Sequence, residues 1–407
     1  MPRKLRYNSK FNEFLRYTIG IFLDRRYSLQ VEHKDLIDGM EAPYVILPNH
    51  VSFWDPFFVS YFIPKPVFYV VSDMQFRRPI IRILLSLVGA IPKSKAVSDF
   101  ETVRNIFRIK QRKGIIGIFP EGRRNWDGHS NLPLFATAKL IKALKLPVII
   151  PLLKGAYLSL PRWSRDHKKG AITVDFREGF SIDELKVKSV DEIHSKLSEL
   201  IVYDEWAYQR GLMMEFKNRH RAEHVELTLF ICPECNNTGK LRSHRHTLSC
   251  SSCGYTVIYN TFGFFETETG EPKFDTVRSW NLWQLEYIRS RIERAKDAES
   301  KDPIISDGPV WVRKGYRTEF MKKLERGRLS LFADRLEVSG NNGNKTLTFH
   351  IDQVRGVNVQ LYEILEFYYG EDLYSFHFKN IWVSGYKWMV ALNILRGEDA
   401  FSSDFLD

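Results

Sequence analysis

The segment Asn49-His50-Val51-Ser52-Phe53-Trp54-Asp55 places an imidazole and a carboxylate five residues apart, directly after the apolar run Tyr44 to Leu47. A carboxylate that holds an imidazole in one tautomer and stabilises its protonated form makes a general base, able to take the proton of an attacking hydroxyl. The spacing constrains the geometry. Residues five apart in one regular helix point roughly 140° away from each other, so His50 meets Asp55 only if the chain turns between them. Pro56 supplies that turn, biasing Asp55 to extended backbone and making Asp55 the N-cap and Pro56 the first residue of a helix through Phe57, Phe58 and Tyr61. His50 then lies in the preceding loop. No second histidine reads as having an aspartate partner at a strand end. Taken alone, Asp55 reads better as a simple helix cap.

A second constellation adds weight. The apolar run Gly114 to Phe119 stops at Pro120, and Glu121, Gly122, Arg123 and Arg124 follow. They fall at the C-terminal end of a strand, where α/β sheets place ligands. Gly122 permits close backbone approach, and a guanidinium grips a phosphate with two parallel hydrogen bonds. The bland alternative is an arginine that pairs with Glu121 or Asp127 to brace the loop.

All 4 cysteines fall in two pairs, Cys232-x2-Cys235 and Cys250-x2-Cys253. The spacing reads as a structural zinc ribbon, two thiolate-bearing turns converging on one ion, in preference to two disulfides, which no secretory signal accompanies. His244 and His246 are nearby and offer an alternative ligand in place of a cysteine, although such residues are more often merely exposed. No cysteine remains for catalysis, no catalytic metal is called for, and Ser52 stays open as a nucleophile.

The elements that must carry these groups alternate. Strand-like runs at Tyr44 to Leu47, Val67 to Val71, Gly114 to Phe119, Pro147 to Leu152 and Ala171 to Phe176 are separated by helical patterns, one opened by Ser98 and Glu101 as a capping box. The expectation is an α/β domain with a mixed sheet flanked by helices, leaving through one long helix from Val190 to about Val225. After the ribbon come a charged helix, a polar linker around Lys301 to Gly308, and strands at Arg328 to Val338, Lys345 to His350, Val354 to Val359, Tyr362 to Tyr369 and Tyr374 to Phe378, with a turn at Gly340 to Gly343. A closing helix is capped by Ser384. This antiparallel β domain with a C-terminal helix resembles the pleckstrin-homology superfold, which does not name a ligand.

The chain of 407 residues carries a formal charge of +11, from 60 Lys and Arg against 49 Asp and Glu. That excess favours anionic partners, phospholipid or nucleic acid. Arg77, Arg78 and Arg82 border Ile83, Leu84, Leu85, Leu87 and Val88, a mixture suited to the boundary between headgroups and acyl chains. No apolar run reaches the ~20 residues that span a bilayer, and the N-terminus lacks a signal-peptide pattern. A peripheral position on the cytoplasmic face of a membrane is the expectation.

Together the strand-end His50 and Asp55, the strand-end Glu-Gly-Arg-Arg and the later Pro151 resemble the glycerolipid acyltransferase family, particularly the 1-acylglycerol-3-phosphate and lysophospholipid acyltransferases. The resemblance covers roughly Tyr44 to Phe180. It implies that His50 deprotonates the acceptor hydroxyl with Asp55 in support, and that Phe119 to Asn125 stands for the family's Phe-Pro-Glu-Gly-Thr-Arg-Ser motif, with Arg123 and Asn125 replacing its threonine and serine. Gly89-Ala90-Ile91-Pro92 looks like the segment whose arginine contacts the acceptor phosphate, with Lys95 at the arginine position, and Ala136 stands at the family's common lysine. Asn49, Lys95, Glu121, Gly122, Arg123 and Arg124 become the substrate-binding candidates. The partners implied are acyl-CoA or acyl carrier protein, a lysophospholipid acceptor and a membrane surface, with no nucleic acid. The corresponding division is an amphipathic membrane-associating segment at 1–40, the acyltransferase domain at 41–225, the ribbon at 226–270, a helical linker at 271–308 and the pleckstrin-homology-like domain at 309–398. Two rival readings are an inactive membrane-docking scaffold, which an intact His50 and Asp55 oppose, and a nucleic-acid-binding ribbon protein, which the apolar context of the basic residues opposes.

Overall fold

The computed structural model describes residues 7–93, 100–316, 320–340, 346–361 and 363–398. They gather into two compact units, the first running to Arg162 and including His167–Lys217, the second comprising Trp163–Asp166 and Asn218 onward.

The first unit opens with helix α1 (Ser9–Tyr27) and strand β1 (Leu29–Glu32), then β2 (Val45–Ile46), α2 (Asp55–Phe62), β3 (Val67–Ser72), α3 (Pro79–Leu87) and β4 (Ile91–Lys93). It continues through α4 (Phe100–Gln111), β5 (Ile115–Gly117), α5 (Phe135–Leu144), β6 (Val148–Lys154), α6 (Ala156–Ser159), β7 (Ile172–Phe180), α7 (Ile182–Val187), α8 (Val190–Ile201) and α9 (Glu205–Leu212). The seven strands form one mixed sheet in the order β1-β7-β6-β2-β5-β3-β4. Only β6 and β7 pair antiparallel; the other neighbours are parallel. The central strands β2 and β5 are buried along their length, as parallel strands covered on both faces must be. Gly117 is required by crowding, because a Cβ there would lie 2.4 Å from the Tyr69 ring. Ile193, Leu197 and Ile201, spaced four apart on α8, pack with Ala138, Ile141 and Leu144 of α5 into the core under β6 and β2. Each such fully buried aliphatic side chain contributes about 1.5 to 3 kcal/mol. This layer holds the ends of β2 and β5 at fixed separation.

Three expectations change here. The long helix after Val190 is two helices, because Asp204 accepts from the amides of Trp206 and Ala207 and caps a new start, and Met213 in left-handed backbone (φ 48°) ends it. β1, inside the stretch read as a separate N-terminal segment, is an edge strand parallel to β7. Helix α2 starts at Asp55 with Trp54 as its cap, one residue earlier than expected. Ser98, the expected cap of α4, lies outside the described residues.

In the second unit, β8 (Leu241–His244), β9 (Thr247–Cys250), β10 (Thr256–Tyr259) and β11 (Phe265–Glu266) form a small antiparallel sheet, followed by α10 (Val277–Asp297). Then come β12 (Ile305–Gly315), β13 (Lys322–Leu331), β14 (Arg335–Gly340), β15 (Thr346–His350), β16 (Val354–Gln360), β17 (Ile364–Tyr369), β18 (Asp372–Phe378) and α11 (Gly385–Leu395). The seven strands pair antiparallel in the order β15-β14-β13-β12-β18-β17-β16, and every residue of α11 is buried. Arg328 to Val338, expected as one strand, is the hairpin of β13 and β14, closed where the Phe332 amide donates to the Arg335 carbonyl. The expected turn at Gly340 to Gly343 lies beyond Gly340 outside the described residues.

The supposed linker is not one. On α10, Trp280, Leu285, Ile288 and Ile292 form a buried face that the charged residues between them conceal in the sequence. The Trp280 indole donates to the Ile231 carbonyl at 2.9 Å, Gln284 bonds the Phe230 amide and the Thr228 carbonyl, and Asn281 meets the Tyr386 hydroxyl of α11. The cysteine-bearing sheet, α10 and the β region therefore share one core. β12 begins at Ile305, inside the polar stretch that preceded the expected domain.

Candidate active site and thiolate cluster

Beyond β2 the chain is pinned before it reaches His50. The Asn49 side chain is fully buried and clamps β6, its amide oxygen accepting from the Leu153 amide at 2.7 Å and its nitrogen donating to the Leu153 carbonyl at 3.3 Å. Both polar ends of Asn49 face backbone, so it holds the loop after β2 against β6.

His50 is then fixed by three contacts. Its amide donates to Glu121 Oε1 at 2.6 Å, its carbonyl accepts from the Asn125 amide at 2.9 Å, and its Nδ1 donates to Asp55 Oδ2 at 2.8 Å. That last bond leaves Nε2 with the lone pair, the tautomer a general base needs. The ring stacks on Phe119 (centroids 4.0 Å, 25°) and its side chain is 21% exposed, so one edge faces outward. Burial lowers the His50 pKa from its usual value, the hydrogen bond and charge of Asp55 oppose that, and the charges of Arg124 and Arg162 add to the lowering. The imidazole is neutral, and thus basic, at neutral pH.

Asp55 is 0% exposed, yet its carboxylate is fully engaged. Besides His50 it accepts from the amides of Val51 (2.7 Å) and Ser52 and from the Ser52 hydroxyl at 2.7 Å. The turn between His50 and Asp55 is therefore wrapped around this one carboxylate. Ser52 is buried, its Oγ donating to Asp55 and accepting from the Trp54 amide, which removes it as a nucleophile poised for attack.

Glu121 is 1% exposed, and both its oxygens are used: Oε1 by the His50 amide, Oε2 by the amide and side chain of Asn131 at 2.8 and 2.9 Å. Burial pushes its carboxyl up to about 8 against the pull of those donors. It ties the loop after β5 to the loop after β2. Gly122 takes φ +67°, closing the turn in which its amide donates to the Phe119 carbonyl. Asn125 Oδ1 accepts from the Gly128 amide, bracing the same loop. Of the candidates drawn from the second constellation, Arg124 places its charge within reach of His50, and Arg123 is 8% exposed. Lys95 lies outside the described residues.

Two contributors had no signal in the sequence. Arg162 lies 5% exposed with its guanidinium 3.9 Å from the Trp126 ring centroid, donates to the Arg124 carbonyl at 3.2 Å, and places its charge within reach of His50. Asn131 anchors Glu121. Arg162 comes from a loop far along the chain and Asn131 from shortly after Glu121, neither with a motif around it.

A second histidine does have an aspartate, contrary to expectation. His33, just after β1, meets Asp175 of β7 at 2.8 Å, but its side chain is 65% exposed. Asp175 is shared with Lys154 at 3.0 Å and Arg177 at 2.9 Å, and Lys154 also holds Glu32. Burial pushes Asp175 up, and the bonds from His33, Lys154 and Arg177 outweigh it and hold the carboxyl below its usual range. A metal ion among Glu32, His33 and Asp175 would find the lysine ammonium already there.

The cysteines converge in the second unit. Cys232 Sγ and Cys253 Sγ are 3.7 Å apart, Cys235 Sγ and Cys250 Sγ 3.8 Å, and all four sulfurs lie within 4.8 Å of one another. A tetrahedron with metal–sulfur bonds of ~2.3 Å has edges of ~3.8 Å, whereas a disulfide needs ~2.05 Å. The two turns match: the amides of Asn236 and Gly254 donate back to the carbonyls of Cys232 and Cys250, and both residues have positive φ (60° and 80°). Asn237 and the Ser252 amide donate to the sulfurs of Cys235 and Cys250. His244 and His246 take no part in this cluster. The four thiols fit a tetrahedral metal ion.

Residues 28–174 match the model of the Acyltransferase family. Among solved structures, the 1-acyl-sn-glycerophosphate (LPA) acyltransferase PlsC from Thermotoga maritima is similar at 15% identity, covering 51% of this chain and 84% of that one, with a TM-score of 0.42. The matched segment spans β2, the loop bearing His50 and Asp55, β5 and the loop bearing Glu121 to Asn125, so this part of the chain is similar to the Acyltransferase family.

Proposed function

We propose that the chain is a glycerolipid acyltransferase that moves a fatty acyl group from acyl-CoA or acyl carrier protein to the free hydroxyl of a lysophospholipid such as 1-acylglycerol-3-phosphate. The observation that carries this reading is the His50 Nδ1 to Asp55 bond of 2.8 Å, inside a loop that the rest of the sheet holds rigid, with Nε2 left to accept a proton. His50 takes the hydroxyl proton as the acceptor oxygen attacks the thioester carbonyl; the tetrahedral intermediate collapses, the thiol leaves, and His50 returns the proton to it. Asp55 stabilises the imidazolium. Asn49 and Glu121 are positioning residues in this scheme, and Arg123 and Arg124 bind the acceptor phosphate. Labelled acyl thioester offered with a panel of lysolipids tests it: product should form with a phosphorylated glycerol acceptor. Turnover with none of them would refute the reading.

Among the described residues no helix is long and apolar enough to cross a membrane. Phe14, Tyr17, Ile21 and Phe22 of α1 and Ile80, Ile83 and Leu84 of α3 are exposed, and no residue of α3 is buried. With Arg78 and Arg82 beside them, they support peripheral association with a lipid surface, where such acceptors reside. The seven antiparallel strands closed by α11 support a pleckstrin-homology-like reading of the β region, and the four thiols support one structural zinc ion, which would fix the two cysteine turns to each other. Metal analysis of the purified protein should find about one zinc per chain.

A further inference from the structure

The Asp55 carboxylate holds one edge of the His50 imidazole, and a hydrogen bond at Nδ1 leaves a ring able to pivot about it. The torsion that turns a histidine ring about its Cβ–Cγ bond is broad, so the neighbours must set its plane. Phe119 is such a neighbour. Its ring stacks on the imidazole with centroids 4.0 Å apart and planes 25° apart. Tyr69 of β3 stacks in turn on Phe119, at 5.7 Å and 18°. His50, Phe119 and Tyr69 thus form one column of rings, with Phe119 the ring that the other two share.

Sheet register builds the column. Tyr69 stands opposite Gly117 of β5, and residues in register on neighbouring strands put their side chains on one face. A Cβ at position 117 would come within 2.4 Å of the Tyr69 ring, so the glycine makes the room in which that ring lies across β5. Phe119 follows two residues later, where an extended chain returns to the same face, and the Ile118 amide still donates to the Ile46 carbonyl of β2. The outer end of the column is tied to the helix that begins at Asp55: the Ser60 hydroxyl of α2 donates to the Tyr69 oxygen at 3.3 Å. Tyr69 is 8% exposed, and burial pushes its phenol well above its usual range, so this end stays neutral. Helix α2 therefore reaches the imidazole twice, at its edge through Asp55 and at its face through Ser60, Tyr69 and Phe119.

We propose that Phe119 and Tyr69 are positioning residues for His50, an aromatic column that fixes the plane of the imidazole and so the direction in which Nε2 meets an acceptor hydroxyl. This role rests on the reading of His50 as the general base and adds the groups that aim it. Neither ring takes up a proton. The bond to Asp55 selects the tautomer, and the stack selects the direction; proton transfer needs both, since a misplacement of ~1 Å costs about a hundredfold in rate. Phe119 also shields one face of the ring from water, which acts in the same sense as the burial that lowers the His50 pKa.

The test uses the full chain with ring-labelled histidine, so that NMR follows the His50 imidazole, assigned by its loss in His50→Gln, whether or not turnover occurs. Phe119→Ala should shift the His50 ring signals through loss of the phenyl ring current and move the His50 titration upward toward 6.5. It should also lower kcat by about ten- to a hundredfold, with KM for both substrates within about twofold. Tyr69→Leu should lower kcat by about two- to tenfold, and Tyr69→Phe, which keeps the ring and gives up only the bond to Ser60, should recover most of that loss. Should Phe119→Ala fail to fold, Phe119→Leu gives the same comparison with most of the packing volume kept. A folded Phe119 variant that melts earlier yet keeps wild-type kcat and the wild-type His50 titration would make the ring plain core and overturn the proposal. So would a Tyr69→Phe protein as slow as Tyr69→Leu, because the hydroxyl and not the ring would then matter. Wild type with no acyl transfer at all would refute only the proposed activity, and the His50 signals and titration would still decide whether the column holds the imidazole.

Discussion

Two pairs of histidine and aspartate lie in the first unit, each with Nδ1 to carboxylate at 2.8 Å, one at His50 and Asp55 and one at His33 and Asp175. At His50 the carboxylate is fully buried, has among the described residues no lysine or arginine in an ion pair, and is surrounded by donors from its own loop; the neutral imidazole is the partner that can take up a proton beside it. At His33 the carboxylate is divided among an imidazole, an ammonium and a guanidinium, and the ring stands mostly in solvent. The first arrangement stabilises a proton arriving on the ring, because the compensating charge is otherwise unneutralised. The second already has its charge balanced by Lys154 and Arg177. Distance and residue type are the same; the surroundings differ, and under the proposed function they suit one pair to act as a base and leave the other a surface network.

The largest expected way to sharpen that contrast is Asp55→Asn. An asparagine amide can present its NH2 to His50 and select the wrong tautomer, and the loop amides lose an acceptor, so kcat should fall by roughly 10²- to 10⁴-fold. Asp175→Asn should leave kcat within about twofold and show only in stability. Next comes Glu121→Gln. Both Glu121 oxygens accept from N–H donors, and glutamine must turn an NH2 toward one set, so a loss of about 1 to 3 kcal/mol in stability is expected by denaturant titration, with lower kcat and little change in KM for the donor. A Glu121→Gln protein as stable as wild type would show that the strap is dispensable.

Arg124→Ala should lower kcat/KM for a phosphorylated acceptor by about ten- to a hundredfold, corresponding to roughly 1.5 to 3 kcal/mol for one charge-assisted contact. On an acceptor without phosphate, mutant and wild type should perform equally poorly; an equal factor lost on both would make Arg124 a brace for its loop. The smallest expected effect is pH-dependent. Because the His50 pKa is held below its ordinary 6.5, kcat/KM should rise with pH and level off with its inflection below 6.5. Between that lowered value and 6.5 the unfolded chain holds the proton and the folded chain does not, so stability from this group is lost as pH falls through the same window. An inflection above 6.5 would mean that Asp55 outweighs burial.

The same contrast explains what the sequence could and could not show. His50 and Asp55 are legible because strand, loop, proline and helix follow each other in one short stretch, and the cysteine pairs because metal geometry imposes their spacing. The positioning roles of Asn49 and Glu121 were hidden because they act on backbone atoms of Leu153, His50 and Asn131, which carry no side-chain signature. Arg162 reaches the site from beyond α6, and only tertiary structure places it there. His33 and Asp175 were missed as a pair because β1 joins β7 across the length of the sheet segment, a pairing that no local periodicity reveals. The buried face of α10 was obscured by charge, since Arg289, Glu293 and Arg294 interrupt an apolar stripe whose partners lie in the cysteine turns and α11.

The most direct test compares His50→Ala with His33→Ala in single-turnover transfer of a labelled acyl group from a thioester to 1-acylglycerol-3-phosphate, with folding checked by thermal melts and metal content. His50→Ala should lose at least about 10²- to 10⁴-fold in rate while remaining folded, and His33→Ala should stay within about twofold of wild type. Equal rates for folded His50→Ala and wild type, or a loss in His33→Ala as deep as that in His50→Ala, would contradict the assignment of His50 as the base.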